Sequence, residues 1–200
     1  RYGSDQFFVK PPAEMYKLRI WQSWPGELND EQKATLQKWV TANESAIEQL
    51  AQGSRLPYFW LKYPQNTPLG AGPLSSYTQV NSLSTATCWR AKFRAANGDF
   101  KGALEDVLSV YRFGRHLAAR PHRLWEQTTG FTIQTNALWT AELILNYTNI
   151  DINATATLQN ELQNAMDAEK FYYDLAADRV VVNDAIDRTF DNGRVLLSQL

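Results

Sequence analysis

Two ionisable side chains fall among apolar residues on predicted helices, a position that acid–base and ligand-binding groups often occupy. Glu126 shares a predicted helix with the apolar residues Ile133 and Ile144, in a segment that has no obvious polar face. Arg179 falls on the same side of a later helix as Val182, three residues further along the chain. We therefore predict that both charged side chains point inward.

A charge that is buried alone costs several kcal/mol, so each of these two groups needs a partner. We expect Glu126 to lie within charge-pair distance of an arginine, with Arg179 as the first candidate and Arg90 or Arg94 as substitutes. Two roles fit such a pair. It can fix the register of the helices as a structural contact, or it can supply an acid–base or ligand-anchoring group.

Charged residues are distributed unevenly along the chain. Residues 88–123 carry eight Lys or Arg and three Asp or Glu, whereas residues 151–191 carry three and nine. A cationic cluster that would suit an anionic ligand or partner consists of Arg112, Arg115, His116, Arg120, His122 and Arg123. The structural alternative is that cations near the end of a helix stabilise it by complementing its dipole.

Aromatic residues are abundant, with seven Trp, nine Tyr and nine Phe, and several of them lie in the proline-bounded segment 56–64. Aromatic rings line grooves for sugars, peptides and apolar ligands. The alternative is that these rings form a cap over the edge of the helices. The candidate ligand-binding residues, which combine the rings with the inward charges, are Tyr58, Trp60, Tyr63, Glu126 and Arg179.

The sequence lacks the residues that several common chemistries need. Cys88 is the only cysteine, His116 and His122 are the only histidines, and their spacing does not match a standard metal site. The sequence also has no nucleophile elbow, Walker loop, Rossmann glycine triplet or HExxH motif. We therefore predict no catalytic residue, no metal site and no cofactor, and we favour a protein that is not an enzyme.

Helices are the elements that must position these side chains. Asn29 followed by Gln32 predicts a capping box at the start of a first helix. Asn43 is expected to divide that helix into two segments. Four prolines punctuate residues 55–78, which makes this stretch the least helical part of the chain.

From residue 75 onward, the periodicity of apolar residues predicts only helices. Gly98 followed by Asp99 predicts a tight turn, so the helices before and after it should pack antiparallel. The segment at about 122–147 is apolar on every side, which predicts that it is the central helix, enclosed by its neighbours. A last helix is predicted over about 167–191.

These signals predict a single all-α domain, either a helical bundle or a short antiparallel helical-hairpin stack. Residues 1–74 would form an N-terminal helix with an aromatic loop cap, and residues 75–200 the helical-hairpin core. The net charge of −1 makes nucleic acid an unsuitable partner, and no apolar run reaches the length of about 18 residues that a membrane-spanning segment needs. Because the chain begins with Arg1 rather than Met, we expect a piece of a longer protein, exported or membrane-anchored if an upstream anchor has been removed.

The predicted turn at Gly98 resembles part of a tetratricopeptide repeat. In AKFRAANGDFKGALEDV, the repeat's small, glycine, acidic, aromatic and second small positions are matched by Ala91, Gly98, Asp99, Phe100 and Ala103. However, Arg94 stands where the repeat has an aromatic residue, and Arg115 stands where it has its closing proline. No second copy follows at the repeat's offset of about 34 residues. The resemblance therefore implies one tetratricopeptide-like hairpin rather than a tandem array.

A wider resemblance covers most of residues 28–193. The order of LNDEQKATLQKWV, RLPYFW, GDFKGALEDVLSVYRFGRHL, PHRLWEQTTGFTI and DRVVVNDAIDRTFDNG is similar to that in a group of uncharacterised helical proteins of planctomycete-type bacteria. Members of that group often follow an N-terminal membrane anchor. The resemblance implies a bacterial helical protein and carries over no activity.

The hairpin architecture and the missing chemical motifs favour a non-enzymatic helical scaffold or protein-interaction domain, whose partner would be a protein. The alternative is a protein that binds or processes a small molecule or a glycan through the aromatic segment 56–64 and Glu126. A deep pocket lined by that segment and an inward carboxylate would favour the alternative. A filled core with an exposed apolar groove would favour a protein partner.

Overall fold

A computed structural model of the protein describes residues 8–13, 23–57, 74–118, 124–148, 152–167, 175–191 and 194–195. In chain order, its helices are α1 (Asp30–Ala42), α2 (Glu44–Ser54), α3 (Leu74–Ala96), α4 (Phe100–Ala118), α5 (Leu124–Tyr147), α6 (Ile152–Asp167) and α7 (Ala176–Thr189). A short 3-10 turn (Pro25–Glu27) precedes α1, and the two-residue strands β1 (Phe190–Asp191) and β2 (Arg194–Val195) pair antiparallel after α7. The predicted all-α fold class is confirmed.

The start of α1 and its boundary with α2 follow the sequence prediction. The side chain of Asn29 accepts a hydrogen bond from the backbone N–H of Gln32 at 2.8 Å. In return, the side chain of Gln32 accepts one from the backbone N–H of Asn29 at 3.1 Å. The buried side chain of Asn43 separates α1 from α2 and donates to the carbonyl oxygens of Trp39 and Val9. Asn43 therefore ends one helix and also holds the chain near Val9, a long-range contact that the sequence did not reveal.

Helices α3 and α4 form the predicted antiparallel hairpin. Gly98 has a φ of +85°, which is the left-handed conformation that glycine adopts readily at the end of a helix. Asp99 then caps α4 by accepting a hydrogen bond from the backbone N–H of Gly102 at 3.0 Å. Arg94 contacts the carbonyl oxygen of Gly102, whereas Arg90, one turn earlier, contacts Asp106, one turn later, as antiparallel packing requires.

The central helix is α4, not α5. Eleven of the nineteen residues of α4 are buried, and this helix contacts α2, α3, α5 and α6. Only nine of the twenty-four residues of α5 are buried, and Trp125, Leu138 and Trp139 are 59%, 41% and 44% exposed. The prediction that the segment 122–147 is enclosed on every side is therefore wrong. Periodicity reports the contrast between two faces of a helix. Helix α5 shows little contrast because its exposed face carries Trp125 and Trp139, whereas its buried face includes Glu126, Gln127 and Gln134.

Helices α4 and α5 approach each other through two glycines. A Cβ atom added to Gly114 would lie 2.7 Å from the carbonyl oxygen of Gly130, and one added to Gly130 would lie 2.5 Å from the carbonyl oxygen of Gly114. The backbone nitrogen of Ala118 would lie 2.6 Å from the Cβ atom added to Gly130. The two backbones therefore pack at a separation that no side chain at these positions allows.

Helix α7 contradicts the facing predicted for the last helix. Leu175, Val182 and Ile186 are 56%, 55% and 49% exposed, and Arg179 on the same side is also exposed. The expected inward position of Arg179 is therefore wrong. The periodicity correctly placed these residues on one side of a helix, but no contrast in the sequence identified which side meets the core.

Helices α1 and α2 pack on α3 through an apolar cluster that is separate from the main core around α4. This cluster includes Leu36, Trp39, Ile47, Trp89 and Phe93. The division into a 1–74 cap and a 75–200 core stays a prediction, because residues 58–73 lie outside the described residues. None of the helices that the structure describes combines the length and apolarity needed to cross a membrane.

Candidate functional site

An ionic cleft lies between α2, α3 and α4. It encloses about 510 Å³ and is lined by four cationic and four acidic side chains, which are Arg55, Arg90, Arg94, Lys101, Glu48, Asp99, Glu105 and Asp106. The cleft therefore carries no formal net charge.

The floor of the ionic cleft is a buried ion pair. Arg90 and Asp106 are 5% and 2% exposed, and the guanidinium donates two hydrogen bonds to the carboxylate, at 3.0 Å from Nε and 2.6 Å from Nη2. The remaining nitrogen, Nη1, reaches Glu44 at 2.5 Å and Glu48 at 2.7 Å. Burial disfavours the charge of Arg90, but the hydrogen bonds and charge of Asp106 raise the pKa of its guanidinium above the usual value.

Two of the other three cations of the cleft, Arg94 and Arg55, also have partners. Arg94 donates to Asp106 at 3.1 Å and lies 3.8 Å from Asp99. At the mouth of the cleft, Arg55 pairs with Glu105 at 2.6 Å, and both side chains are more than half exposed. A ligand that binds the three arginines would have to break their ion pairs first, so these residues are primarily a structural connection between α2, α3 and α4.

Glu126 is buried, and two of its three predicted arginine partners bind another carboxylate. Glu126 is 2% exposed, so its predicted inward position is confirmed. However, the two substitute arginines, Arg90 and Arg94, bind Asp106, and the first candidate, Arg179, is exposed. An arginine partner for Glu126 stays a prediction. A signal for the observed pair was present in the sequence, because Arg90 and Asp106 are each eight residues from the turn glycine Gly98.

Part of the predicted cationic cluster is also wrong. Arg112 forms an ion pair with Glu161 of α6 at 2.7 Å, whereas the Nε2 atom of His116 lies 3.1 Å from the carbonyl oxygen of Ser54 in α2. Burial lowers the pKa of His116, which favours the neutral ring at pH 7. These two side chains therefore reach different helices instead of sharing one ligand. Arg115 is partly exposed, and its role in an anion-binding cluster stays a prediction.

Six of the predicted residues cannot be placed. They lie outside the described residues and are Tyr58, Trp60, Tyr63, Arg120, His122 and Arg123. The aromatic groove and its glycan or small-molecule ligand therefore stay predictions. Within the part of the chain that the structure describes, no group of three or more His, Cys, Asp or Glu side chains could hold a metal ion.

Lys92 is a buried cation that the sequence analysis only counted among the charges of residues 88–123. It is 2% exposed, donates to the carbonyl oxygen of Ser23 at 3.1 Å, and lies 4.4 Å from the centre of the Trp89 ring. Burial lowers the pKa of Lys92 to about 8. Burial also raises the pKa of the neighbouring Cys88 thiol, so this cysteine stays protonated and unreactive at neutral pH.

The solvent-exposed face of α5 has the opposite character to the ionic cleft. We define the α5 outer stripe as Trp125, Thr129, Thr132, Thr135 and Trp139, which fall within about 120° of the helix circumference at 100° per residue. The hydroxyl groups of its three threonines each donate to the carbonyl oxygen four residues earlier, at 2.8–2.9 Å. These five residues therefore present mainly rings and methyl groups to solvent, and Thr128 and Asn136 lie on the same arc of the helix.

The charge of the α5 outer stripe is also unusual for an exposed helix. Residues 125–139 contain one charged residue, Glu126, and that residue is buried. Leu138 extends the apolar surface on one flank and is 41% exposed.

Comparisons with protein-family models, with curated proteins and with solved structures find no match for the chain. The tetratricopeptide-like hairpin and the resemblance to planctomycete-type proteins therefore stay predictions. Function has to be inferred from the ionic cleft and the α5 outer stripe.

Proposed function

We propose that the chain is a non-enzymatic helical scaffold or protein-interaction domain, and that the α5 outer stripe is its contact surface. The observation that carries this proposal is the exposure of Trp125 and Trp139 on one face of a helix, at 59% and 44%, with no exposed charge between them. A contiguous apolar surface on a soluble domain commonly marks a site for another macromolecule.

The composition of the stripe supports a protein as the partner. Tryptophan is enriched among the residues that contribute most of the energy of protein–protein contacts, where it is surrounded by less critical groups that exclude water. A regular helix also offers these rings at fixed spacing, so little conformational freedom is lost when a partner binds. Thr129, Thr132 and Thr135 between the rings have hydroxyl groups already bonded to their own helix, so little desolvation opposes the contact.

The ionic cleft provides the contrast that makes the stripe the better site. The buried pair of Arg90 and Asp106 is complete within the chain, and Arg94 and Arg55 have carboxylate partners as well. Binding at the cleft would exchange existing ion pairs for new ones, with little net gain. Binding at the α5 outer stripe would remove apolar area from water, which is favourable without any exchange.

Photocrosslinking tests the proposed contact surface. Benzoylphenylalanine in place of Thr132, in the full protein and in the cells that produce it, should give discrete adducts with protein on irradiation. The same group in place of Lys38, which is exposed on α1, is the matched control and should give few adducts. A second substitution, Trp139→Glu, should abolish the adducts formed from position 132. Equal adduct yields from positions 132 and 38, or no adducts at all, would contradict the proposal.

A further inference from the structure

We propose that Trp39 and Asn43 form a recognition site for an extended peptide that carries an aromatic residue followed, three positions later, by two prolines. We call this pair the Asn43 site. In the folded chain it holds residues 8–12, with the sequence FVKPP, which we call the N-terminal segment. The segment is an internal competitor, and the partner is a peptide of the same pattern on another protein. The inference concerns a surface other than the α5 outer stripe and does not depend on the contact proposed there.

The Asn43 site binds the backbone of one residue of the N-terminal segment. The backbone N–H of Val9 donates to Oδ1 of Asn43 at 2.7 Å, and Nδ2 of Asn43 donates to the carbonyl oxygen of Val9 at 3.1 Å. Nε1 of Trp39 donates to the same carbonyl oxygen at 2.8 Å. A side-chain amide offers a donor and an acceptor side by side, so it pairs with an extended backbone as a neighbouring strand does. Because the side chain of Val9 is 46% exposed, the site accepts any residue there except proline, which has no N–H.

The Asn43 site is also preorganised for this contact. Asn43 and Trp39 are 2% and 3% exposed, and Nδ2 of Asn43 donates a second hydrogen bond to the carbonyl oxygen of Trp39 at 2.9 Å, which fixes the orientation of the amide. Without an occupant, Oδ1 and Nδ2 of Asn43 and Nε1 of Trp39 would each lose a hydrogen-bond partner. Because buried polar groups are costly to leave unpaired, the site favours a bound extended backbone.

The N-terminal segment is much less buried than the site that holds it. Phe8, Pro11 and Pro12 are partly buried, whereas Val9 and Lys10 are exposed. The buried members of the apolar cluster next to the segment all belong to α1, α2 and α3, and Phe8 packs against them while it stays partly exposed. A buried site with a peripheral occupant is typical of a receptor and its peptide ligand. The segment can therefore leave without opening the core.

The side chains of the N-terminal segment define the pattern of the peptide. The ring of Phe8 meets the ring of Trp39 edge to face, with centroids 6.2 Å apart and planes at 81°, which is a favourable arrangement for two aromatic rings. Pro11 and Pro12 restrict their own backbone and that of Lys10 to extended conformations, so less conformational freedom is lost on binding. The site therefore selects an aromatic residue, two variable residues and two prolines.

A peptide of another protein is a better partner for the Asn43 site than a second copy of the chain. Exchange of segments between two copies replaces each contact with an identical one, so it adds no contact and costs freedom of movement. Within one chain, the linkage between segment and site gives an effective concentration in roughly the millimolar range. A partner peptide therefore binds when it is abundant or makes further contacts, and the N-terminal segment sets that threshold.

Peptide binding to the full chain tests the site. The probe is acetylated FVKPPA, the sequence of residues 8–13, and binding is followed by NMR titration of the isotope-labelled chain. A Phe8→Ala chain, in which the internal segment has lost its ring, should bind the probe with a Kd on the order of 0.1–1 mM and show a shift of the indole N–H signal of Trp39. The wild-type chain should bind it at least about fivefold more weakly, because its own segment competes.

Two methylated probes test the backbone contact. Methylation of the valine nitrogen removes the donor to Oδ1 of Asn43 and should weaken binding to the Phe8→Ala chain roughly tenfold. Methylation of the lysine nitrogen is the matched control, because the N–H of Lys10 takes part in none of the hydrogen bonds described above. It should change the affinity by less than about twofold.

A substitution in the chain tests the indole contact. In the Phe8→Ala background, Trp39→Phe keeps an aromatic ring but removes the Nε1 donor to the peptide carbonyl oxygen, and should weaken binding of the probe about fivefold. Trp89→Phe, in the same apolar cluster, is the matched control and should leave the affinity unchanged. Trp139→Glu should also leave it unchanged, because it alters only the α5 outer stripe.

Every other outcome would overturn the inference. No binding by the Phe8→Ala chain at about 5 mM probe, or equal affinity for the two methylated probes, would show that the site does not recognise an extended backbone. Loss of the helical circular dichroism spectrum in Phe8→Ala would show that the segment is a permanent part of the core. A wild-type dimer that Phe8→Ala abolishes would identify exchange between two copies instead. Loss of probe binding in Trp139→Glu would assign the peptide to the α5 outer stripe.

Discussion

The ionic cleft and the α5 outer stripe both face solvent, but they differ in how far their side chains are paired or covered within the chain. In the cleft, Arg90 and Asp106 are matched within the chain by hydrogen bonds of 2.6–3.0 Å. In the stripe, Trp125 and Trp139 keep about half of their surface in water. The cleft is complete as a structure, whereas the stripe gains from a partner.

This difference shows why charge or polarity alone is a poor guide to function in this fold. A cleft with eight charged residues has the appearance of a binding site, but a ligand for its arginines would have to break the ion pairs that they already make. A helix face without charges has no obvious chemistry, but it is the surface with free energy to gain from contact. Substitutions in the two regions should therefore have opposite effects on folding and association.

The largest effect on stability is expected at the floor of the cleft. Asp106→Asn leaves the buried guanidinium of Arg90 without its bidentate carboxylate, and should lower the free energy of unfolding by about 3 kcal/mol or more in urea titrations. Glu105→Gln, at the exposed pair with Arg55, is the matched control and should change it by less than about 1 kcal/mol. If Asp106→Asn costs no more than the control, the cleft is not the structural connection described above.

The next effect concerns the inner side of α5, opposite the stripe. Gly130→Ala places a Cβ atom 2.5 Å from the carbonyl oxygen of Gly114, so α4 and α5 must separate. We expect a loss of about 1–3 kcal/mol in the free energy of unfolding, which is typical of overpacking.

Gly53→Ala is the control for this change. Gly53 lies in α2 with no atom within 4 Å of an added Cβ, so alanine should stabilise the protein by about 0.5–1 kcal/mol through its higher helix propensity. Thermal unfolding of both variants measures the difference. Changes of the same sign would show that the close approach of the two helices does not limit stability.

A third effect distinguishes the buried cation Lys92 from the ion pairs of the cleft. Its pKa is lowered from 10.5 to about 8 in the folded protein, mainly by burial. Between these two values the unfolded state binds more protons than the folded state, so this group makes folding more favourable as the pH rises.

The measurement is the free energy of unfolding of the wild type and of Lys92→Met between pH 7 and pH 10. The wild type should gain relative to the variant by up to about 1.4 kcal/mol per pH unit above pH 8, with little relative change below pH 8. The pKa of Cys88 depends in part on the charge of Lys92, so the same pair is also compared in a Cys88→Ala background, where the relative change comes from Lys92. Parallel pH profiles would show that Lys92 is not desolvated.

Local signals in the sequence predicted the structure well, and long-range ones did not. The capping box of Asn29 and Gln32 and the turn at Gly98 depend on residues within a few positions of each other, and all were correct. The facing of α5 and α7 depends on which helices cover them, and periodicity gives only the shared side of a helix. Hydrophobicity could not separate the outer Trp125 from the buried Ile133, because both are apolar.

The candidate site was predictable to a similar extent. The inward position of Glu126 was correct, but the sequence did not indicate that Arg90 would bind Asp106 unless the register of the hairpin about Gly98 was considered. The close approach of Gly114 and Gly130 had no local signal, because each glycine is compatible with an ordinary helix position. These features arise from the packing of one helix against another.

The smallest effect compares two threonines of α5 that make the same hydrogen bond. Thr132 is exposed in the outer stripe and donates to Thr128, whereas Thr140 is 2% exposed and donates to Asn136, at 2.9 and 2.8 Å. Thr132→Ala should stabilise the protein by about 0.5 kcal/mol through helix propensity, because no packing is lost. Thr140→Ala should destabilise it by about 1 kcal/mol, because the buried methyl and hydroxyl groups lose their contacts. Urea titration measures both changes. Destabilisation by Thr132→Ala would mean that the outer stripe is already covered within a single chain, and the stripe would then no longer differ from the cleft.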